Sequence, residues 1–301
     1  MSKLPEKVLV SEVCPRDGWQ NHPVHIPADI KIKYIKKMVD YGARKMEITS
    51  FVSPKYVPQM GDAKEVFQGV KDYLDQKGVT AFVLALNKRG VEDARAAGVH
   101  NVNFVLSASE EHNLRNSRRT IQESMDAFKE LASHAQGLHI VLGIPCIFGS
   151  PFGDEVPLER IRWIIREAQS VGVEEFGLAD TAGLSTPENT RRVIRAVKEC
   201  ADVDRLSLHL HDTYGMAIAN AYVGLLEGIT LFDSSLAGMG GCPFVPGAKG
   251  NVATEDLIYF MHAMGIETGL NLELANQAAA EMAAEIQAAV VSCQGAVCRH
   301  S

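Results

Sequence analysis

Short apolar runs alternate with amphipathic stretches from one end of the 301-residue chain to the other. Val8–Val13 reads as the first strand. Ala28–Tyr41 then reads as a helix, with Ile32, Ile35 and Val39 on one face and Lys31, Lys33, Lys36, Lys37 and Asp40 elsewhere. Further strands are predicted at Lys45–Phe51, Thr80–Leu86, Asn101–Ser107, His139–Ile144, Glu174–Ala179, Leu206–His211 and Leu231–Leu236. Helical stretches fall between them, such as Leu158–Val171 with Ile161, Ile164, Ile165 and Ala168 at helical spacing. Strict strand–helix alternation demands a parallel sheet, and eight such units in this length fit a closed (β/α)8 TIM barrel. The alternative is an open doubly wound sheet. Its nucleotide-binding form needs GxGxxG after an early strand, and none follows Val13 or Phe51. No Pro- or Ser-rich linker divides the chain. Residues 1–301 are therefore read as a single barrel domain, with 265–301 an accessory C-terminal helical segment that includes Asn271–Val291.

Chemistry in such a barrel gathers at the C-terminal ends of the strands. Polar residues cluster there. Strand one ends in Pro15-Arg16-Asp17-Gly18-Trp19-Gln20, and strand two carries Glu47, Thr49 and Ser50. Strand six ends in Asp180-Thr181, and strand seven holds His209 and His211. Residues two apart on a strand point to one face, so the two imidazoles can share one metal. Asp17 offers a carboxylate and Asn251 an amide oxygen. Two nitrogens and two oxygens, with positions left open, suit an octahedral Mg²⁺ or Mn²⁺. Zinc, with Cys242 among its ligands, is the rival reading. Arg16 beside Asp17 is a permanent cation that either faces a substrate anion or pairs with Glu12 or Glu47. Arg16, Gln20, Ser50 and Thr181 are the candidate substrate contacts. Strand eight leads into Gly238–Asn251, a glycine-rich loop with Cys242 at its tip and Pro243 and Pro246 limiting its freedom. It reads as a lid carrying a reactive thiol, or else as a solvent loop with an incidental cysteine.

The formal net charge of −7 argues against a nucleic-acid partner. No apolar run is long enough to span a bilayer, and the first residues carry no signal-peptide core, so a cytoplasmic protein is expected. The six cysteines form no CxxC pair and are read as reduced thiols. Arg115, Arg118 and Arg119 lie just ahead of a helix expected near Thr120. They either line a phosphate route there or form a solvated charge run.

Four stretches together resemble 3-hydroxy-3-methylglutaryl-CoA (HMG-CoA) lyases over nearly the whole chain. They are Pro15–Asn21, Thr49–Met60, His209–Thr213, and Gly240–Pro243 continuing through Gly250–Asp256. The cysteine loop is specific to these lyases, whereas the Arg-Asp and HxH elements occur across a wider superfamily of synthases and carboxyltransferases. The resemblance implies a homodimeric, metal-dependent lyase acting on an acyl-CoA. It implies metal ligands at Asp17, His209, His211 and Asn251, a catalytic thiol at Cys242, enolate stabilisation by Arg16, and support from Glu47 and Asp180. Related readings are a lyase on another 3-hydroxy-3-methyl acyl-CoA, such as citramalyl-CoA, or a Claisen or aldol synthase. The chain departs from the family's common pattern at Trp19, Pro23, Gly177 and Gly149–Asp154, all near the mouth and none among the implied ligands.

Overall fold

The computed structural model describes residues 4–241 and 249–298, the side chains of 296–298 excepted. Eight parallel strands close into a barrel in sequence order. They are β1 (Leu9–Glu12), β2 (Lys45–Phe51), β3 (Thr80–Ala85), β4 (Asn101–Val105), β5 (His139–Ile144), β6 (Glu175–Asp180), β7 (Leu206–Leu210) and β8 (Leu231–Ser234). Closure comes from β1 pairing with β8, Leu9 opposite Leu231 and Glu12 opposite Ser234. This is the TIM barrel that the alternation predicts.

The outer ring begins with α1 (Ala28–Asp40), α2 (Ala63–Lys77) and α3 (Lys88–Ala96). Two helices, α4 (Glu110–Ser117) and α5 (Ile121–His134), follow β4, where the periodicity predicts one. Ser109 accepts a hydrogen bond from the His112 N–H and so starts α4 as a separate helix. The ring continues with α6 (Leu158–Gln169), α7 (Pro187–Lys198), α8 (Ala217–Leu226) and α9 (Thr254–Ala263). Beyond it lie α10 (Leu272–Ile286) and the short α11 (Cys293–Cys298). α10 packs on α1 and α9 through Ala275, Ala278, Ala279, Met282 and Ala283, small residues that let the helices approach closely.

The main core lies between barrel and ring. Ile35, Met38, Ile161, Ile164, Ile165, Val193 and Ile194 point from the helices onto Met46, Ile48, Leu142, Phe176, Leu178 and Leu208 of the strands, all of them buried. Burying each such side chain contributes roughly 1.5–3 kcal/mol, which leaves the barrel interior free for polar groups.

β1 ends one residue earlier than its apolar pattern suggests. Pro15 has no N–H to continue a ladder, and Cys14–Gly18 instead forms one wide π-helical turn. The N–H groups of Arg16, Asp17 and Gly18 all converge on the Val13 carbonyl. Glu12 anchors this turn. Its carboxylate accepts from the backbone N–H of Cys14 and Leu236 and from the hydroxyls of Tyr41 and Thr254. One buried side chain thereby ties the ends of β1 and β8 and the starts of α9 and the π-turn together.

Candidate active site and metal centre

The π-turn lifts Arg16 and Asp17 over the barrel mouth, where β7 presents His209 and His211. The two imidazole Nε2 atoms stand 3.3 Å apart, and each is 4.0 Å from Asp17 Oδ2. Asn251 arrives from the far side of the cysteine loop and bridges to His211 through the backbone. Its amide Nδ2 donates to Asp17 Oδ2 at 2.7 Å and to the Met239 carbonyl at 3.0 Å. Two oxygens around one amide end identify that end as the NH2 group and leave Oδ1 as the other. Gly240 makes the approach possible. Its φ is +111°, and a Cβ there would stand 2.6 Å from Asn251 Nδ2.

Asn251 Oδ1 is buried and has no hydrogen-bond partner. Buried acceptors are ordinarily satisfied, so an orphan beside two facing imidazole nitrogens and a carboxylate calls for a cation. Asp17, His209 and His211 are the one group of three or more acidic, thiol or imidazole side chains among the described residues spaced to hold a metal ion. The set fits a divalent metal.

Electrostatics favour the protonation states a metal needs at Asp17 and His211, while at His209 a metal would have to displace a proton that the neighbouring carboxylates favour. Burial alone would raise the Asp17 pKa, but Arg16, His209, His211 and the Asn251 amide hold it at about 2. Burial and the neighbouring His209 depress His211 to about 4, so its lone pair is available near neutrality. Burial opposes a charge on His209 too. There Asp233 Oδ2, 3.2 Å from Nδ1, and Asp17 prevail and raise the pKa. A carboxylate behind a histidine fixes the ring and the nitrogen that faces the site.

Arg16 is not aimed solely at an open space. Its Nε and a terminal nitrogen hold Glu47 Oε2 at 2.7 and 2.5 Å, and Nη1 donates to Asp17 Oδ1 at 2.6 Å. Three of its five N–H donors are thus taken, and two are left for a further anion. The other oxygen of Glu47 accepts from Asn103 Nδ2 at 2.9 Å. The ion pair with Glu47 that the sequence leaves open is therefore present, buried within the site.

Gln20 donates to Asp17 Oδ1 at 3.0 Å, and Thr181 Oγ1 accepts from the Cys146 N–H at 2.9 Å. Ser50 Oγ is buried without a partner. All three, with Arg16, Asp17, Glu47, His209 and His211, line one cavity of about 360 Å³ that runs from the mouth into the barrel. A β-bulge between Glu47 and Thr49 shifts the register and brings both Glu47 and Ser50 to it.

Asp180 is placed differently. It faces away from this cavity, and its two oxygens accept from the N–H groups of Leu184 and Ser185 at 2.9 and 3.0 Å. Burial raises its pKa to about 6. Cys242 lies outside the described residues, although its neighbour Gly241 lines the cavity.

The three arginines do not form one cluster. Arg115 sits within α4, stacked over the Phe152 ring at 4.4 Å, and Arg119 lines a second cavity of about 620 Å³. The start of α5 is already closed by a capping box in which Thr120 and Glu123 satisfy each other's backbone donors. That carboxylate occupies the place the sequence reading reserves for phosphate. The second cavity adjoins the first through Leu86, Val105, Asn116 and Pro145, which line both.

Asp233 and Asn103 escape the sequence reading. An acidic residue within the otherwise apolar Leu231–Phe232 strand is the signal that could have found Asp233. Asn103 carries no such signal, because Asn101 two residues earlier offers the same pattern.

Relatives of known identity share this arrangement of barrel and chain. The HMGL-like family model matches residues 7–282. A 3-hydroxy-3-isohexenylglutaryl-CoA/hydroxymethylglutaryl-CoA lyase of Pseudomonas aeruginosa is 42% identical over 271 residues, 89% of each chain. The crystal structure of a hydroxymethylglutaryl-CoA lyase from the same species superposes with a TM-score of 0.94 at 39% identity, covering 99% of both chains. An Acinetobacter baumannii HMG-CoA lyase, solved with coenzyme A and 3-methylmalate, gives 0.92 at 33% identity over 98% of this chain and 96% of its own. The chain belongs to the HMGL-like family.

Proposed function

We propose that this chain is a carbon–carbon lyase that cleaves HMG-CoA to acetoacetate and acetyl-CoA. The observation that carries the reading is the convergence of Asp17, His209 and His211, with Asn251 bonded to Asp17, at a cavity that adjoins a second one. Those four residues would hold Mg²⁺ or Mn²⁺. Such an ion, when bound, acidifies a coordinated substrate hydroxyl.

Loss of the 3-hydroxyl proton turns C3 into a ketone. The C2–C3 bond breaks, and its electron pair passes to C2 and the thioester oxygen as an enolate. Arg16 directs its two remaining donors at that oxygen, an interaction stronger in the charged state than in the substrate. Glu47 and Asn103 hold the guanidinium in place for it. Cys242 then delivers a proton to C2, completing acetyl-CoA. A thiol with a pKa of about 8.5 can both give and regain that proton near neutrality.

Gln20, Ser50 and Thr181 orient the acyl head. Asp180 acts as a positioning residue, since its bonds to Leu184 and Ser185 set the turn that carries Thr181. The adjoining cavity, with Asn113, Asn116 and Arg119, takes the coenzyme A arm. Residues 1–301 work as one catalytic domain with 265–301 as an accessory, in a cytoplasmic homodimer. Support for the dimer is the apolar surface around α8 and α9, where Tyr222, Tyr259 and Met216 are exposed. Support for the location is that no described helix is long and apolar enough to cross a membrane.

Cleavage in D2O tests the scheme. The acetyl-CoA formed should carry one deuterium in its methyl group, delivered by Cys242. A methyl group free of deuterium would exclude the enolate.

A further inference from the structure

The turn that follows β8 carries a strained residue. Ala237 is fully buried at φ +61° and ψ 11°, the left-handed region that a residue with a Cβ enters only at an energetic cost. Such a conformation persists where the surroundings over-determine it. Both polar backbone groups of Ala237 are held from elsewhere in the chain. Its N–H donates to Glu255 Oε2 at 2.9 Å, and its carbonyl accepts from the Val291 N–H at 3.2 Å.

Val291 belongs to a segment outside the barrel and its ring. α10 ends at Gln287, itself left-handed at φ +58°, and four residues later the chain is bonded to the Ala237 turn. Ser292 is buried and donates its hydroxyl to Glu255 Oε1 at 2.9 Å. The two oxygens of Glu255 thereby join this segment to the Ala237 N–H. The N–H groups of Cys293 and Gln294 donate to the Asp256 carboxylate at 2.9 and 2.8 Å. The Val291 side chain lies against Gly238, where a Cβ would stand 2.7 Å from Val291 Cγ2. Gly238, at φ +66°, leaves room for that approach.

The turn in its place holds Asn251. The Met239 carbonyl, two residues past Ala237, accepts from Asn251 Nδ2 at 3.0 Å. The carbonyls of Gly238 and Gly240 close on Gly250, where a Cβ would stand 2.6 and 2.4 Å from them. The conformation of Ala237 sets where these carbonyls stand. It therefore sets one of the two bonds that fix the Asn251 amide, the other being the bond to Asp17.

Resting on the metal reading above, we propose that Val291 and Ser292 form a positioning strap for the metal centre, holding Ala237 in its left-handed conformation and so fixing Asn251 through the Met239 carbonyl. The strap touches neither metal nor substrate. It keeps a ligand ordered before the ion arrives, so that ordering does not weaken binding.

Calorimetric titration of Mn²⁺ into the wild type, Ser292→Ala, Val291→Ala, Ser292→Thr and Glu281→Gln tests this, with a melting temperature for each. Loss of a partner bonded directly to a ligand costs 10–100-fold in affinity, and the strap acts through the turn, so Ser292→Ala and Val291→Ala should each weaken binding about three- to tenfold. Ser292→Thr keeps the hydroxyl and should bind as the wild type does. Glu281→Gln breaks the ion pair between α10 and Lys37 without touching the strap. It should leave the affinity unchanged even where it lowers the melting temperature. Wild-type affinity in both Ser292→Ala and Val291→Ala would overturn this inference and leave the metal reading standing, as would an equal loss in Glu281→Gln. Failure of the wild type to bind Mn²⁺ would overturn both.

Discussion

Asn251 reaches across the barrel mouth to Asp17, donating its amide N–H at 2.7 Å and leaving its own oxygen buried without a partner. The contact joins two residues 234 positions apart and unites the ends of β1 and the cysteine loop.

Removal of either histidine should abolish tight metal binding. A partner behind a ligand is commonly worth 10–100-fold in affinity, so His209→Ala or His211→Ala should cost about a hundredfold or more and Asp233→Asn about tenfold. Titration calorimetry with Mn²⁺ checks the order. Equal affinity in wild type and both histidine variants would refute the assignment.

Cys242→Ala should lower kcat by roughly 10²–10⁴-fold, the usual range for loss of a positioned acid. The metal affinity should stay as in the wild type, because the thiol is not among the proposed ligands. A large loss of metal binding would instead revive the zinc–thiolate reading.

Glu47→Ala leaves the buried Arg16 with Asp17 alone. Losing one partner of a buried ion pair costs about 3–5 kcal/mol, and here the surviving pair with Asp17 should hold the loss near the lower figure. Chemical denaturation measures this, and a variant as stable as wild type would show that Arg16 needs no second carboxylate.

Much of this could be read along the chain, for identifiable reasons. The barrel is legible because its core lies outside the strands, so every strand must present an apolar face to the helices. His209 and His211 are legible because strand parity alone sets their common face. Ser50 reaches the cavity only because of the bulge in β2. Simple alternation would pair Glu47 with Thr49, and only the bulge brings Glu47 and Ser50 inward together. Asp180 stands one residue past an inward position, where parity turns it toward backbone donors and away from the cavity. The arginine run misleads because Glu123 closes the helix start that would have received phosphate. Both are decided by bonds to neighbours a few residues away, and composition carries no trace of them.

Glu255 makes stability depend on pH. It lies buried at the start of α9, accepting from Ser292 Oγ and the Ala237 N–H, and burial raises its pKa from 4.5 to about 7. A carboxyl raised in the folded state is protonated there when the unfolded chain has already ionised. Its contribution is fully present below pH 4.5 and is lost as the pH rises through 7. Relative to Glu255→Gln, the wild type should lose up to about 1.4 kcal/mol per pH unit across that window. Urea denaturation at several pH values measures the difference, and a constant gap between the two proteins would contradict it.

The most direct measurement incubates the purified protein with HMG-CoA and Mg²⁺ and follows both products. Acetoacetate and acetyl-CoA should form in equal amounts, formation should stop when a chelator removes the ion, and His209→Ala should yield none. No cleavage by the metal-loaded protein, or cleavage undiminished by the chelator, would contradict the metal-dependent lyase reading.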